Sequence, residues 1–196
     1  MTFVGSQTEK NLITSFVHEC CAAQRYEMFA KTATKEGHAY IGKIFDETAA
    51  MERVHANQFY TKLQGGEVEV QSAFPAGIAG SKRVGNTATN LQMSIDGENH
   101  EHQVVYKEAA EVAEKEGFSD IATLFSNVAK AEEFHAKRFA YLLLNLTNKT
   151  LYHSNDVVYW ICSNCGFVEC STDAPAVCPA CAHPKGYFYR EGVSLN

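Results

Sequence analysis

The chain has 196 residues, 45% of them hydrophobic and 20% charged, with a formal net charge of −6. That length suits one ordinary domain plus a small module, or a single larger domain. The acidic balance and the absence of a Lys/Arg cluster exclude a nucleic-acid binder built on a basic face. No apolar run approaches the roughly 20 residues that a membrane-spanning helix needs.

The start, MTFVGSQTEKN, lacks the basic and apolar regions of a signal peptide, so a cytoplasmic protein without a membrane anchor is expected. Seven cysteines agree with that setting. Four are paired as CxxC and read as metal ligands; Cys20, Cys21 and Cys170 form an odd remainder that argues against a disulfide framework.

Helical periodicity runs from the start to about residue 148, and none of the four prolines interrupts it. The first predicted helix spans about Ser6 to Glu36 and stops at Gly37. The second spans about His38 to Leu63, the third Asn86 to Glu116 with a stop at Gly117, and the fourth Ser119 to Leu146. Single-glycine turns make the first pair and the second pair antiparallel hairpins. The middle connection, EVEVQSAFPAGIAGSKRVG, is long enough to cross over along the outside of a bundle, which is the ferritin-like arrangement.

The apolar stripes of these helices contain carboxylates. They read Leu12, Phe16, Glu19, Ala23, Tyr26 in the first helix and Ile41, Phe45, Thr48, Glu52, His55, Phe59 in the second. The third reads Leu91, Ile95, Glu98, Glu101 or His102, Val105. The fourth reads Ile121, Phe125, Val128, Glu132, His135, Phe139, Leu142. Steps of three and four place each set on one face. A lone Glu or His on such a face is usually a paired or rim residue. Four coincident cases are different, because buried carboxylates without cations repel each other and cost several kcal/mol each. One Glu from each of two helices (Glu19, Glu98) and Glu-x-x-His from the other two (Glu52/His55, Glu132/His135) is the donor set of di-iron and di-manganese bundles. Glu101, one turn beyond Glu98, adds a fifth carboxylate. Oxygen-rich ligation with two imidazoles suits iron or manganese.

After Asn148 the composition turns to Pro, Cys, Gly and aromatics. The predicted domains are therefore 1–148, the bundle, and 149–196, a small module of strands and loops that needs a metal staple. Cys162/Cys165 and Cys178/Cys181, two CxxC knuckles twelve residues apart, give a tetrahedral four-sulfur site for iron or zinc. Tyr159, Trp160, Phe167, Tyr187 and Phe188 are expected to shield it.

The segments HECCAAQRY, ETAAMERVHA, DGENHEHQVVY and AKAEEFHAKRF, with the tail WICSNCGFVECSTDAPAVCPACAHPKGYF, resemble rubrerythrins over nearly the whole chain. The resemblance implies a mainly α fold, a ferritin-like bundle followed by a rubredoxin-like domain. It implies non-haem iron at both sites, a di-iron pair and one iron on four cysteines, with zinc possible in the latter after recombinant expression. It also implies reduction of hydrogen peroxide to water in oxidative-stress defence. Electrons would come through the rubredoxin-type iron from a separate NAD(P)H-dependent reductase. One iron would move between Glu101 and His55 with redox state, and Tyr26 and Tyr106 would line the site. A head-to-tail homodimer would bring one chain's four-cysteine iron beside the other's di-iron pair. Iron storage, a non-enzymatic electron carrier or peroxide sensor, and an oxygen-dependent oxidase are the alternatives.

Overall fold

The computed structural model of the chain describes residues 2–65 and 84–190. Helix α1 (Gln7–Lys35) is capped by Ser6, whose hydroxyl accepts from the Glu9 N–H at 3.0 Å, while Glu9 accepts from Gly5 N–H at 2.7 Å. It turns at Gly37, at φ +86°, into α2 (Ala39–Thr61). Helix α3 (Thr87–His100) starts on an Asn86 cap. A π-helical segment, Glu101–Val105, joins it to α4 (Tyr106–Glu116). Gly117, at φ +88°, turns the chain into α5 (Ser119–Thr147). Both turns need a left-handed residue, which glycine adopts without a Cβ clash.

Two carboxylates at helix ends lock the hairpins together. Glu36, just beyond α1, accepts from the Thr87 N–H at 2.8 Å and the Thr87 hydroxyl at 2.5 Å. Glu116, at the end of α4, accepts from the Thr8 N–H at 2.9 Å and the Thr8 hydroxyl at 2.6 Å. Each places negative charge on a helix N-terminus and satisfies its free donors. The first contact also puts the start of α3 at the same end of the bundle as the start of α2. The two helices are therefore parallel. Most of the predicted crossover, residues 67–85, lies outside the described residues.

Two apolar clusters fill the bundle, one on each side of the carboxylate layer. Tyr26, Phe29, Ile41, Phe45, Leu91, Phe139 and Leu142 form one; Leu12, Phe59, Tyr106, Ile121 and Phe125 belong to the other. No described helix is long and apolar enough to cross a membrane.

The C-terminal module is a three-stranded antiparallel sheet of β1 (His153–Cys162), β2 (Val168–Asp173) and β3 (Phe188–Arg190), in the order β2-β1-β3. Its core is Trp160, Phe188, Ala174 and the two ligand cysteines Cys162 and Cys178, with Phe167 and Tyr187 packed against them. Tyr159 departs from expectation. It faces away from this core and is 55% exposed, because alternation along β1 buries Trp160 instead.

The module sits on the bundle end formed by the α1–α2 turn and the end of α5. Gly186 meets Gly37 there so closely that a Cβ on Gly186 would lie 1.8 Å from the Gly37 carbonyl oxygen. Gly186→Ala is therefore expected to lift the module off the bundle, at a cost of about 1–3 kcal/mol for an overpacked contact. Limited proteolysis should cut faster near residue 150 while the visible spectrum of the metal-loaded cysteine site stays unchanged. Unaltered proteolysis would show that the contact is not rigid.

Candidate metal centres

Glu19 on α1, Glu52 and His55 on α2, Glu98 on α3, and Glu132 and His135 on α5 converge between the two apolar clusters. Glu52, Glu98, Glu132 and His135 offer ligand atoms that all lie within 4.8 Å of one another, and so do Glu19, Glu52, His55 and Glu132. Glu52 and Glu132 belong to both sets. Two adjacent ion positions with two shared carboxylates are the geometry of a dinuclear centre, each position finished by one His and one further Glu.

The free valences of the layer test this. His135 Nδ1 lies 2.8 Å from a Glu132 oxygen, 3.1 Å from a Glu52 oxygen and 3.7 Å from a Glu98 oxygen. It is nevertheless not aligned to hydrogen-bond any of them, and Glu132 likewise has neither oxygen satisfied. Glu19, Glu52 and Glu98 each leave one oxygen without a partner. Buried polar atoms are seldom orphaned. Here they are gathered within 4.8 Å of one another, as the ligands of divalent cations would be.

Two tyrosines hold the outer carboxylates. Tyr26 donates its hydroxyl hydrogen bond to Glu98 Oε1, and Tyr106 donates to Glu19 Oε1. Both rings are fully buried in the flanking clusters. Each tyrosine thus packs the core and also orients a candidate ligand. Burial, then the adjacent Glu98 or Glu19, holds each phenol well above its ordinary pKa, so both remain donors.

In the metal-free bundle, burial and neighbouring charges set the protonation of these groups. Burial pushes Glu98 up to about 8, and burial followed by neighbouring carboxylates pushes Glu19 and Glu101 well above the usual range. Burial acts against charge on His55 and His135, but Glu132 and Glu52 outweigh it and raise them to about 9 and about 12. Burial would raise Glu52 too, yet the two imidazoles hold it at about 2. Raised groups contribute stability below their unfolded pKa and lose it as pH rises through the folded value. Glu98 loses its contribution between about 4.5 and about 8, and His55 between about 6.5 and about 9. The metal-free bundle should therefore lose Tm as pH rises from roughly 5 to 9. The metal-loaded protein should hold its Tm over that range, because its ligands are already deprotonated. Parallel Tm curves for the two forms would contradict the assignment.

Glu101 is 7% exposed and faces Glu98, Glu132 and Glu52, but it belongs to neither ligand set. The structure resolves the choice between Glu101 and His102 in favour of Glu101, which is buried while His102 is not. It also corrects the third helix. That helix is not one regular α-helix: the π turn shifts its face, so Tyr106 rather than Val105 is the next fully buried position.

The chain carries a signal for this turn that periodicity alone misses. Its two hairpins repeat one another: Glu36/Glu116, Ile41/Ile121, Phe45/Phe125, Glu52/Glu132, His55/His135 and Phe59/Phe139 share one spacing. Thr8/Thr87, Leu12/Leu91 and Glu19/Glu98 are one residue closer, whereas Tyr26/Tyr106 regain the full spacing. The extra residue is the π turn, and it is the turn that carries Glu101. His18, beside Glu19, is also buried and was not singled out. Its pKa is lowered by burial and then by Arg25 and His100.

In the C-terminal module, Cys162, Cys165, Cys178 and Cys181 place their sulfurs within 4.8 Å of one another. Cys162 to Cys181 and Cys165 to Cys178 each measure 3.7 Å. That is far beyond the roughly 2.05 Å of a disulfide. It matches the edge of about 3.8 Å expected for a sulfur tetrahedron around an ion at about 2.3 Å. The two knuckles have the same build: Cys162 N–H donates to Phe167 O and Cys178 N–H to His183 O, both at 2.8 Å. The His183 backbone N–H, first among its influences, brings Cys181 down to about 6. The Phe167 N–H pulls Cys165 down as well, but the neighbouring thiols push it up to about 12.

The comparisons agree with both centres. The rubrerythrin family model matches residues 10–143, and the model described as rubrerythrin, rubredoxin-like domain, matches residues 160–189. The rubrerythrin of Porphyromonas gingivalis is 44% identical over 94% of this chain and 90% of its own. That of Nitratidesulfovibrio vulgaris is 43% identical over 97% of both. A solved structure of nigerythrin in its fully reduced, all-ferrous state superposes with a TM-score of 0.63 at 27% identity, over 96% of this chain and 88% of that one. With a ferritin-like bundle, a rubredoxin-like domain and relatives of this identity over nearly its full length, the chain belongs to the rubrerythrin family.

Proposed function

We propose that the chain is a non-haem iron peroxidase that reduces hydrogen peroxide to water in oxidative-stress defence. The carrying observation is the pair of ligand sets sharing Glu52 and Glu132, set in one chain with a four-cysteine site. The all-ferrous state of the similar nigerythrin structure supports iron as the metal. The domain division that follows is 1–148 for the bundle and 149–196 for the module.

Iron held by these carboxylates and imidazoles would supply the two electrons that peroxide reduction needs, and iron held by Cys162, Cys165, Cys178 and Cys181 would replace them one at a time. The protein's own contribution is positional. Glu52 and Glu132 fix the separation of the two ion positions, and Glu19, Glu98, His55 and His135 close them. Tyr26 and Tyr106 keep Glu98 and Glu19 in one orientation. Glu101 lies next to the cluster but outside both sets, so it serves either as an alternative ligand to His55 or as a store for one of the two protons that water formation needs. The apolar clusters on either side exclude bulk water.

The electron route is a head-to-tail homodimer fed by an NAD(P)H-dependent reductase. Met51 and Val54, 37% and 58% exposed, flank His55 on α2, and Phe134 is 43% exposed on α5. The module exposes Val157, Tyr159 and Val168. Pairing one chain's module with the other's His55 face would cover both groups. The test is anaerobic turnover of the iron-loaded chain with a reducing system and either peroxide or oxygen, alongside sizing in solution. Two water molecules formed per peroxide by a dimer, with oxygen at least tenfold slower, is the expected result. Faster oxygen consumption would make the protein an oxidase, and full activity in a monomer would remove the dimer route.

A further inference from the structure

Neither metal centre uses the cavity at the seam between the bundle and the C-terminal module. Its cavity volume is about 80 Å³, and it opens to solvent on one side. Its apolar wall comes from Ile44 on α2, Leu142 on α5 and Leu151 in the linker. Tyr40 and Tyr189 stack across the seam with ring centroids 4.6 Å apart and planes 9° apart. Three phenols (Tyr40, Tyr141, Tyr189) and two guanidinium groups (Arg138, Arg190) also line it.

The charges do not balance. Arg138 is answered by Glu47, with which it forms a close ion pair. Arg190 has no such answer among the described residues. Its Nη2 makes two long contacts of 3.3 Å, to the Tyr141 hydroxyl and to Asn145 Oδ1, and its guanidinium lies 5.8 Å from the centre of the Trp160 ring. Among the described residues no carboxylate pairs with it. A half-buried guanidinium held only by neutral groups retains most of its capacity to bind an anion. The Tyr40 and Tyr189 hydroxyls have no partner among the described residues either. Burial holds the Tyr40 phenol above its ordinary pKa, with Arg138 pulling it down and Glu47 pushing it up, which leaves it a donor.

We propose that this cavity binds a small organic oxyanion, a carboxylate or phosphate on an aromatic or apolar body. Its anionic head sits on Arg190 and the tyrosine hydroxyls, and its body lies against Leu142, Leu151 and the Tyr40–Tyr189 stack. An apolar pocket between domains with a few convergent polar groups is the usual form of a small-molecule site. The occupant touches both α5 and β3, so it ties the module to the bundle. The site is independent of the peroxide chemistry and stands or falls separately from it.

The test is calorimetric titration of the full metal-loaded chain with benzoate, phenyl phosphate and the neutral control benzyl alcohol. At least one anion should bind with a Kd on the order of 0.1–1 mM, as expected for fewer than about a dozen well-buried atoms. Benzyl alcohol should bind at least tenfold more weakly. Which anion is preferred tells carboxylate from phosphate. Arg190→Gln should weaken the preferred anion at least tenfold and erase its advantage over the alcohol, with the visible spectrum of the cysteine site as the control for folding. Leu151→Trp, which fills the cavity and keeps Arg190, should weaken it as much. No saturable heat, equal binding of the alcohol, or unchanged affinity in both variants would overturn the site.

Discussion

Glu132→Ala is expected to empty both ion positions rather than one. Glu132 is fully buried, belongs to both ligand sets, and leaves both oxygens without a hydrogen-bond partner. Glu19 or Glu98, by contrast, closes only one position and has one oxygen occupied by a tyrosine. Loss of a shared ligand removes a bond from each ion and opens the distance that the other carboxylates span. Metal content per bundle should fall below one ion, and peroxide turnover should fall by more than about 100-fold, beyond the loss usual for outer-shell partners. The helical fold should survive. The helices pack through the apolar clusters on either side of the layer, so helicity should hold, while the metal-free Tm should fall because His55 and His135 lose the carboxylate that raises them. Metal analysis and circular dichroism on the same sample separate the two effects. A variant that retains two tightly bound ions would show that Glu132 does not bridge.

Cys178→Ser should have an effect of similar size by a different path. Cys178 is 1% exposed and forms part of the module's core as well as its metal site. So small a core cannot hold a fold without its staple. A structural metal of this kind contributes on the order of 10–16 kcal/mol of folding free energy. The module is therefore expected to unfold, with loss of the Tyr40–Tyr189 and Gly37–Gly186 contacts, while the bundle keeps its own ions. A pre-reduced variant should still consume one equivalent of peroxide at the bundle, yet fail to turn over repeatedly. Continued cycling at the unaltered rate would mean that electrons reach the bundle without the cysteine site.

The bundle was legible in the sequence because its signals are local. Glycine stops at Gly37 and Gly117 and steps of three and four place Glu19, Glu52, Glu98 and Glu132 on inward faces, and the structure puts each there, buried. Helix ends fell within about two residues of Leu63 and Leu146, the usual extent of fraying. Three features needed three dimensions. The π turn at Glu101–Val105 leaves no trace in a three-and-four stripe, because one inserted residue only rotates the face; the hairpin repeat reveals it as a spacing error. Tyr159 reads as a shield of the cysteine site but is exposed, because aromatic composition does not say which face of β1 is buried. The pairing of Glu36 with Thr87 and of Glu116 with Thr8 joins residues far apart in the chain, and charge patterning along one helix cannot predict it.

The central claim is that the two centres work as one peroxidase, and anaerobic stopped-flow mixing tests it most directly. The fully reduced, iron-loaded chain is mixed with hydrogen peroxide while the visible ferric-thiolate absorption of the four-cysteine site is followed. Rapid return of colour, faster with peroxide than with oxygen and absent in Glu132→Ala, is the predicted result. Colour that returns at the same rate in Glu132→Ala, or returns only with oxygen, would contradict it.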